Sequence, residues 1–293
     1  MVTPDIFSAE DLLSKPDLFA GFEPPVRLAV IGDPIAHSKS PAFQNAALHA
    51  CGIPVAYARL HVPPSEFAKV LRALPGAGFL GANVTIPHKA SALAGVDVAD
   101  AYARASGSVN TIVVSGEKLH GFNTDGPGIS RAIREEFSRD LRDLRVVLVG
   151  AGGGAGRAIA VQCAMEKCAR LVLVNRTFEK AQLLAAELAP YFLSEPTSGS
   201  VDRVVAIPLE EEDFRHELEN ADILINATSL GMDRSDAPVV AASLLHSNLL
   251  VYDAVYTRGG SRLLDDAVAA GARAANGLGM LLHQGALAFE IWF

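Results

Sequence analysis

Two serines spaced by one residue, Ser38 and Ser40, stand in the run Gly32-Asp-Pro-Ile-Ala-His-Ser-Lys-Ser-Pro41. In a loop just ahead of a helix both hydroxyls can reach one anion, although Ser40 alone reads equally well as a helix cap. Lys89 closes the run Asn83-Val-Thr-Ile-Pro-His-Lys89, where a strand stops. In open α/β sheets that position commonly points into a cleft. Ser108-Val-Asn-Thr111 and Asn123-Thr-Asp-Gly126 add two amides and a carboxylate in short polar loops, though Asn and Asp before Gly also serve simply to turn the chain. Together these groups offer donors for a carboxylate, partners for ring hydroxyls and one proton-transfer group at a carbon being oxidised or reduced. Lys89 is that group, because a lysine is either a protonated donor at neutral pH or, when partly buried, a base. Asp125 would hold its ammonium in place.

A second constellation lies further along. The strand Val146-Val-Leu-Val149 runs directly into Gly150-Ala151-Gly152-Gly153-Gly154-Ala155, which fits the G-x-G-x-x-G/A pattern between a strand and a helix. Gly150 permits the tight turn, Gly152 leaves room for a pyrophosphate, and Ala155 is expected to allow close packing of helix on strand. The helix N-terminus then offers free N–H groups to phosphates. A glycine-rich turn without a ligand has the same glycines. The next strand separates the cofactors: it ends at Val174 in Asn175-Arg176-Thr177, with Lys180 one helical turn on, where a cofactor lacking the extra phosphate is usually met by Asp or Glu. A guanidinium, a hydroxyl and an ammonium suit a 2′-phosphate, so NADP is favoured over NAD.

Both constellations need strands to position them. In the first half, apolar runs at 27–32, 55–62, 79–86 and 109–114 read as strands, with helical spacing from Ser40 and over 65–74. A helix is expected from Asp125 to about Phe137. Strands at 146–149, 171–174, 203–207, 222–226 and 249–253 then alternate with helices near 155–167, 178–188, 209–218 and 260–270, and Pro196 to Ser200 reads as a loop. Alternation of this kind predicts α/β architecture with largely parallel sheets. The expected division is a mixed or parallel α/β substrate domain over 1–125, its first 25 residues a leader extension, and a Rossmann-like doubly wound domain over 126–276. A C-terminal helix over 277–293 ends the chain.

Composition narrows the class. At 293 residues, half of them hydrophobic, the chain can bury two moderate cores, and its net charge of −8 lacks the concentrated basic face a nucleic-acid partner requires. Cys51, Cys163 and Cys168 have neither CxxC spacing nor an even count, so neither a disulfide framework nor a zinc site is expected. The first 25 residues are acidic and proline-containing rather than a signal peptide, and no run is apolar enough to span a bilayer. The expectation is a cytoplasmic monomer or homodimer acting on a small molecule, with no metal, nucleic acid or membrane partner.

The ordered motifs resemble the shikimate dehydrogenase family over essentially the whole chain beyond the first 25 residues. They are HSKSP at 37–41, NVTIPHK at 83–89, SVNT at 108–111, NTDG at 123–126, GAGGGA at 150–155, NRT at 175–177, NATSLGM at 226–232 and GLGMLLHQ at 277–284. The resemblance implies NADPH-dependent reduction of 3-dehydroshikimate to shikimate in aromatic amino acid biosynthesis, with Lys89 and Asp125 as catalytic pair. It implies that Ser38 and Ser40 bind the carboxylate, that Thr85, Asn110 and Gln284 contact hydroxyls, and that Tyr256 approaches the substrate. It also implies that the cofactor lies along Gly150 to Gly154, Asn175 to Lys180 and Thr228, with Ala254 and Gly277 near the nicotinamide, and that the last helix returns to the first domain. Ser261 stands where the family often has threonine, that loop lacks a common proline, and Gln44 replaces a frequent histidine. The nearest alternative, a quinate-preferring relative using NAD or NADP, is disfavoured by Ser40 and by Asn175-Arg176-Thr177. A non-catalytic dinucleotide-binding regulator would have no need of Lys89 and Asp125.

Overall fold

Short runs of β-branched and aliphatic residues, buried on both faces, build two sheets whose polar side chains gather where the strands end. In a computed structural model of the chain, residues 6–192, 202–209, 211–233, 235–256 and 260–293 are described, and the loop expected at 196–200 lies outside them. The chain divides into two units, Met1–Thr124 with Gly285–Phe293 and Asp125–Gln284.

The first unit comprises β1 (Ile6–Ser8), α1 (Ala9–Ser14), β2 (Val26–Gly32), α2 (Ser40–Ala50), β3 (Ala56–His61), α3 (Phe67–Ala73), β4 (Gly81–Val84), α4 (Lys89–Gly95), β5 (Val98–Ala99), α5 (Ala101–Ser106), β6 (Thr111–Ser115) and β7 (Lys118–Phe122). Its seven strands lie in the order β1-β3-β2-β4-β6-β7-β5. The sheet is mixed: β4, β6 and β7 pair antiparallel, and β1 to β4 run parallel.

Residues 6–22 of the segment expected to be a leader pack into this core. β1 pairs with β3 at the sheet edge, and Ser8 and Asp11 cap α1 reciprocally. Phe7, Leu12, Phe19 and Phe22 are buried, with the Phe19 ring 5.1 Å from that of Phe79. Aromatic burial of this kind is worth about 2 kcal/mol per ring, which is why these acidic, proline-interrupted residues fold onto the sheet. The strand expected over 79–86 is shorter, Gly81–Val84, because Ile86 is exposed and Pro87 has no N–H to continue the ladder.

The second unit begins with α6 (Asp125–Phe137) and continues through β8 (Arg145–Val149), α7 (Gly154–Met165), β9 (Arg170–Val174), α8 (Phe178–Phe192), β10 (Val204–Ile207), α9 (Glu211–Glu219), β11 (Ile223–Asn226), β12 (Leu250–Asp253), α10 (Arg262–Ala269), β13 (Arg273–Asn276) and α11 (Leu278–Trp292). Six strands run parallel in the order β10-β9-β8-β11-β12-β13, the doubly wound arrangement. In this unit α11 packs on α6, where a Cβ on Gly128 would lie within 3.1 Å of the Gln284 backbone. The end of α11 counts with the first unit: Gln44 Nε2 donates to the Gly285 carbonyl at 2.9 Å, and Trp292 Nε1 donates to the Ile112 carbonyl at 2.9 Å. Among the described residues no helix is long and apolar enough to cross a membrane.

Candidate functional site

Parallel pairing of β2 with β4 sends the loops after both strands out at the same edge of the first sheet, and antiparallel β6 starts from that edge. Ser38 and Ser40 follow β2, Thr85 and Lys89 follow β4, and Asn110 precedes β6. Main-chain bonds tie these loops together: Asp33 N–H to the Ile86 carbonyl at 3.0 Å, Val84 N–H to the Asn110 carbonyl at 2.8 Å, and Val109 N–H to the Lys89 carbonyl at 2.9 Å. Lys89 is the first residue of α4, and His88 before it is buried, its ring stacked on Phe67 at 4.4 Å.

The two serines form one unit of structure. Ser38 Oγ accepts the Ser40 N–H at 3.3 Å, and α2 starts at Ser40 with no side-chain cap from Lys39. The capping role open to Ser40 therefore falls in part to Ser38. Ser40 is buried, Ser38, Thr85 and Lys89 are half-buried, and Asn110 is buried.

Behind the edge lies a polar network. Asn110 Nδ2 donates to Thr124 Oγ1 at 2.9 Å, Asn110 Oδ1 accepts the Thr124 N–H at 2.9 Å, and Asn123 Nδ2 donates to Ser108 Oγ at 2.8 Å. Every buried side-chain polar atom among the described residues has a partner, so the network meets the cost of desolvating its amides.

Asp125 and Gln284 belong to the second unit. Asp125 opens α6 and is buried, and Gln284 is half-buried, its Nε2 donating to the Leu281 carbonyl at 2.8 Å. Gly128 lies one turn after Asp125, so the contact of Gly128 with Gln284 brings these two predicted residues to neighbouring turns of packed helices.

The dinucleotide fit is tested by the glycine loop. Gly150 has φ +90°, and a Cβ there would lie 2.8 Å from Thr228 Cγ2. A Cβ on Gly152 would meet the Asn175 amide at 2.9 Å, and one on Gly156 would meet the Gly150 carbonyl oxygen at 2.1 Å. The close-packing position is therefore Gly156, not Ala155 as the pattern suggested, because α7 passes nearest the loop one residue later. Gly152, Gly153 and Gly154 are exposed at the N-terminus of α7, as are Arg176, Thr177 and Lys180 beside them, while Ala151 is buried. These residues fit a phosphorylated dinucleotide: the N-terminus of α7 faces the exposed glycines for the pyrophosphate, and two exposed cations with a hydroxyl suit a 2′-phosphate.

The remaining residues expected at the cofactor lie at the strand ends beside this loop. Thr228 donates from N at 3.0 Å and from Oγ1 at 2.7 Å to Asn226 Oδ1, and Asn226 Nδ2 donates to Asp253 Oδ1 at 2.8 Å. Asp253 also accepts the Ser261 hydroxyl and the Val255 N–H. Burial pushes the Asp253 carboxyl above its ordinary value, against the pull of these donors. Ala254 and Gly277 touch, since a Cβ on Gly277 would lie 2.1 Å from the Ala254 carbonyl oxygen. Ser261 caps α10 through its hydroxyl, which a threonine would equally supply, so the substitution leaves the local geometry intact. Tyr256 is exposed at the end of this edge.

Comparison with known proteins agrees with both units. Residues 30–112 match the shikimate dehydrogenase substrate binding domain, 132–245 match shikimate / quinate 5-dehydrogenase, and 277–293 match the shikimate 5′-dehydrogenase C-terminal domain. The chain is similar to the shikimate dehydrogenase (NADP(+)) of Methanopyrus kandleri, 41% identical over 267 residues that cover 90% of this chain and 89% of that protein. It is 42% identical to the shikimate dehydrogenase (NADP(+)) of Symbiobacterium thermophilum, covering 91% of this chain and 88% of that one. Among solved structures, shikimate 5-dehydrogenase of Thermus thermophilus in complex with NADP(H) and shikimate superposes with a TM-score of 0.79 at 34% identity, covering 91% of this chain and 93% of that one. Serine pair, lysine, amide network and glycine cradle thus occur on the scaffold of known relatives, and the chain belongs to the shikimate dehydrogenase family.

Proposed function

We propose that this enzyme catalyses the reversible, NADPH-dependent reduction of 3-dehydroshikimate to shikimate. The observation that supports it most is the gathering of Ser38, Ser40, Thr85, Lys89 and Asn110 at one sheet edge, a set of donors suited to a carboxylated ring with hydroxyls. NADPH, when bound, supplies the hydride. Gly150 to Gly154, Asn175, Arg176, Thr177, Lys180 and Thr228 would hold it, with Ala254 and Gly277 beside the nicotinamide.

In this reading Ser38 and Ser40 donate to the substrate carboxylate, and Thr85, Asn110 and Gln284 orient the hydroxyls. Lys89 donates a proton to the keto oxygen as the carbon gains hydride, and recovers one from solvent. Asp125 fixes the Lys89 ammonium and Tyr256 borders the ring. Orientation of this kind supplies much of a rate enhancement. The reading includes a cytoplasmic location, supported by three cysteines present as free thiols.

The family model that matches residues 132–245 spans shikimate and quinate users, so quinate is the competing substrate. Steady-state rates with shikimate and quinate, each with NADP+ and NAD+, test the assignment. It expects the highest kcat/KM for shikimate with NADP+; a preference for quinate, or for NAD+, would replace it.

A further inference from the structure

Tyr57 and Arg59 stand two residues apart on β3 and so point to one side of the sheet. Both reach the loop that bears the serine pair. The Arg59 guanidinium donates to the Ser38 carbonyl from Nε at 3.0 Å and from Nη2 at 2.7 Å. The Tyr57 hydroxyl, buried, lies beside the Ser40 side chain and donates to Asn83 Oδ1 at 2.8 Å.

Each end of this arrangement is anchored. Asn45 on α2 holds the Tyr57 main chain through two bonds of 2.8 Å, to its N–H and to its carbonyl. Asn83 Nδ2 donates onward to the Asn110 carbonyl at 3.2 Å and to Thr111 Oγ1 at 3.1 Å. The buried chain Ser40, Tyr57, Asn83, Asn110 therefore joins the serine loop to an amide at the same sheet edge. A tyrosine hydroxyl has one proton to give and lone pairs to accept with. With that proton given to Asn83, the Tyr57 oxygen meets Ser40 as a fixed neighbour that limits the positions open to the Ser40 hydroxyl.

We propose that Tyr57 and Arg59 are positioning residues that set the separation and orientation of the Ser38 and Ser40 hydroxyls, and thereby how tightly the enzyme holds the carboxylate of its substrate. The inference rests on the reading of Ser38 and Ser40 as carboxylate ligands. Neither β3 side chain touches substrate; each acts through a serine.

The test is steady-state kinetics with shikimate and NADP+ on Tyr57→Phe, Arg59→Lys, Ser40→Ala and the Tyr57→Phe/Ser40→Ala pair. Tyr57→Phe and Arg59→Lys should each raise KM for shikimate by about tenfold, with KM for NADP+ within about twofold of the parent. The double variant should match Ser40→Ala alone, because the hydroxyl that Tyr57 positions is gone. If Ser40→Ala raises KM while Tyr57→Phe and Arg59→Lys do not, or if the Tyr57 and Ser40 effects multiply, the positioning role is wrong and the carboxylate assignment stands. If Ser40→Ala leaves KM unchanged, the carboxylate assignment itself fails and takes this inference with it. Should Tyr57→Phe not fold, Arg59→Lys decides alone.

Discussion

Asn175 reaches back to the glycine loop, its Oδ1 accepting the Gly152 N–H at 3.1 Å while its Nδ2 donates to the Thr177 carbonyl at 2.8 Å. One side chain thus joins the loop suited to a pyrophosphate to the loop suited to a 2′-phosphate. A methyl on Gly152 would meet the Asn175 amide at 2.9 Å and displace it from both bonds. Gly152→Ala should therefore raise KM for NADP+ by about tenfold, the equivalent of ~1.4 kcal/mol, with KM for shikimate unchanged. An unaltered cofactor KM would mean that Asn175 does not organise this loop.

Arg176 is exposed beside that amide. A charge-assisted bond to a phosphate is worth about 1.5–3 kcal/mol, so Arg176→Ala should lower kcat/KM with NADP+ by roughly 10- to 100-fold. The rate with NAD+ should stay within about twofold. Equal losses with both cofactors would place Arg176 outside the 2′-phosphate site.

Gly156 offers a stability measurement in place of a kinetic one. Its absent side chain would lie 2.1 Å from the Gly150 carbonyl oxygen, a backbone atom with no freedom to yield. Gly156→Ala should cost about 2–3 kcal/mol and lower the urea unfolding midpoint, whereas Gly154→Ala, with nothing within 4 Å of the added methyl, should leave it nearly unchanged. Similar midpoints for the two variants would contradict the packing seen at Gly156.

The second sheet was legible because parallel strands such as Val146 to Val149 are buried on both faces and read as unbroken apolar runs. β13 carries no such signal, since Arg-Ala-Ala-Asn lacks the β-branched and aromatic residues that mark a strand. β1 is three residues long and takes its stability from partners far along the chain, including Phe79 through Phe19. Among candidate site residues, those bearing chemistry at motif positions are the ones the motifs single out. The roles of Tyr57, Arg59, Asn226 and Asp253 are not marked in this way, because they depend on hydrogen bonds to residues some 20 or more positions away, such as Tyr57 with Asn83 and Asn226 with Asp253. The Gly156 position was within reach, since it is the next glycine after the matched pattern, but the motif alone stopped at Ala155.

His88 makes stability depend on pH with a definite sign. Its buried ring donates from Nε2 to the Val62 carbonyl at 2.7 Å, and burial holds its pKa below the ordinary histidine value, against the opposing effects of that bond and of Asp33. A depressed histidine contributes stability that is intact above the unfolded value, near ~6.5, and is lost as pH falls through it toward the folded value. His88→Phe keeps a ring against Phe67 but cannot be protonated. Between about pH 7 and 5 the wild type should lose stability relative to His88→Phe in urea unfolding; parallel curves would show that His88 does not titrate in this window.

The most direct test of the central claim is the turnover of Lys89→Ala in NADPH oxidation with 3-dehydroshikimate. Loss of a positioned proton donor lowers kcat by roughly 10²- to 10⁴-fold, and KM for the keto acid should remain within a few-fold of the parent because the serines and amides that bind it are untouched. A Lys89→Ala enzyme that turns over at near the parental rate would contradict the account.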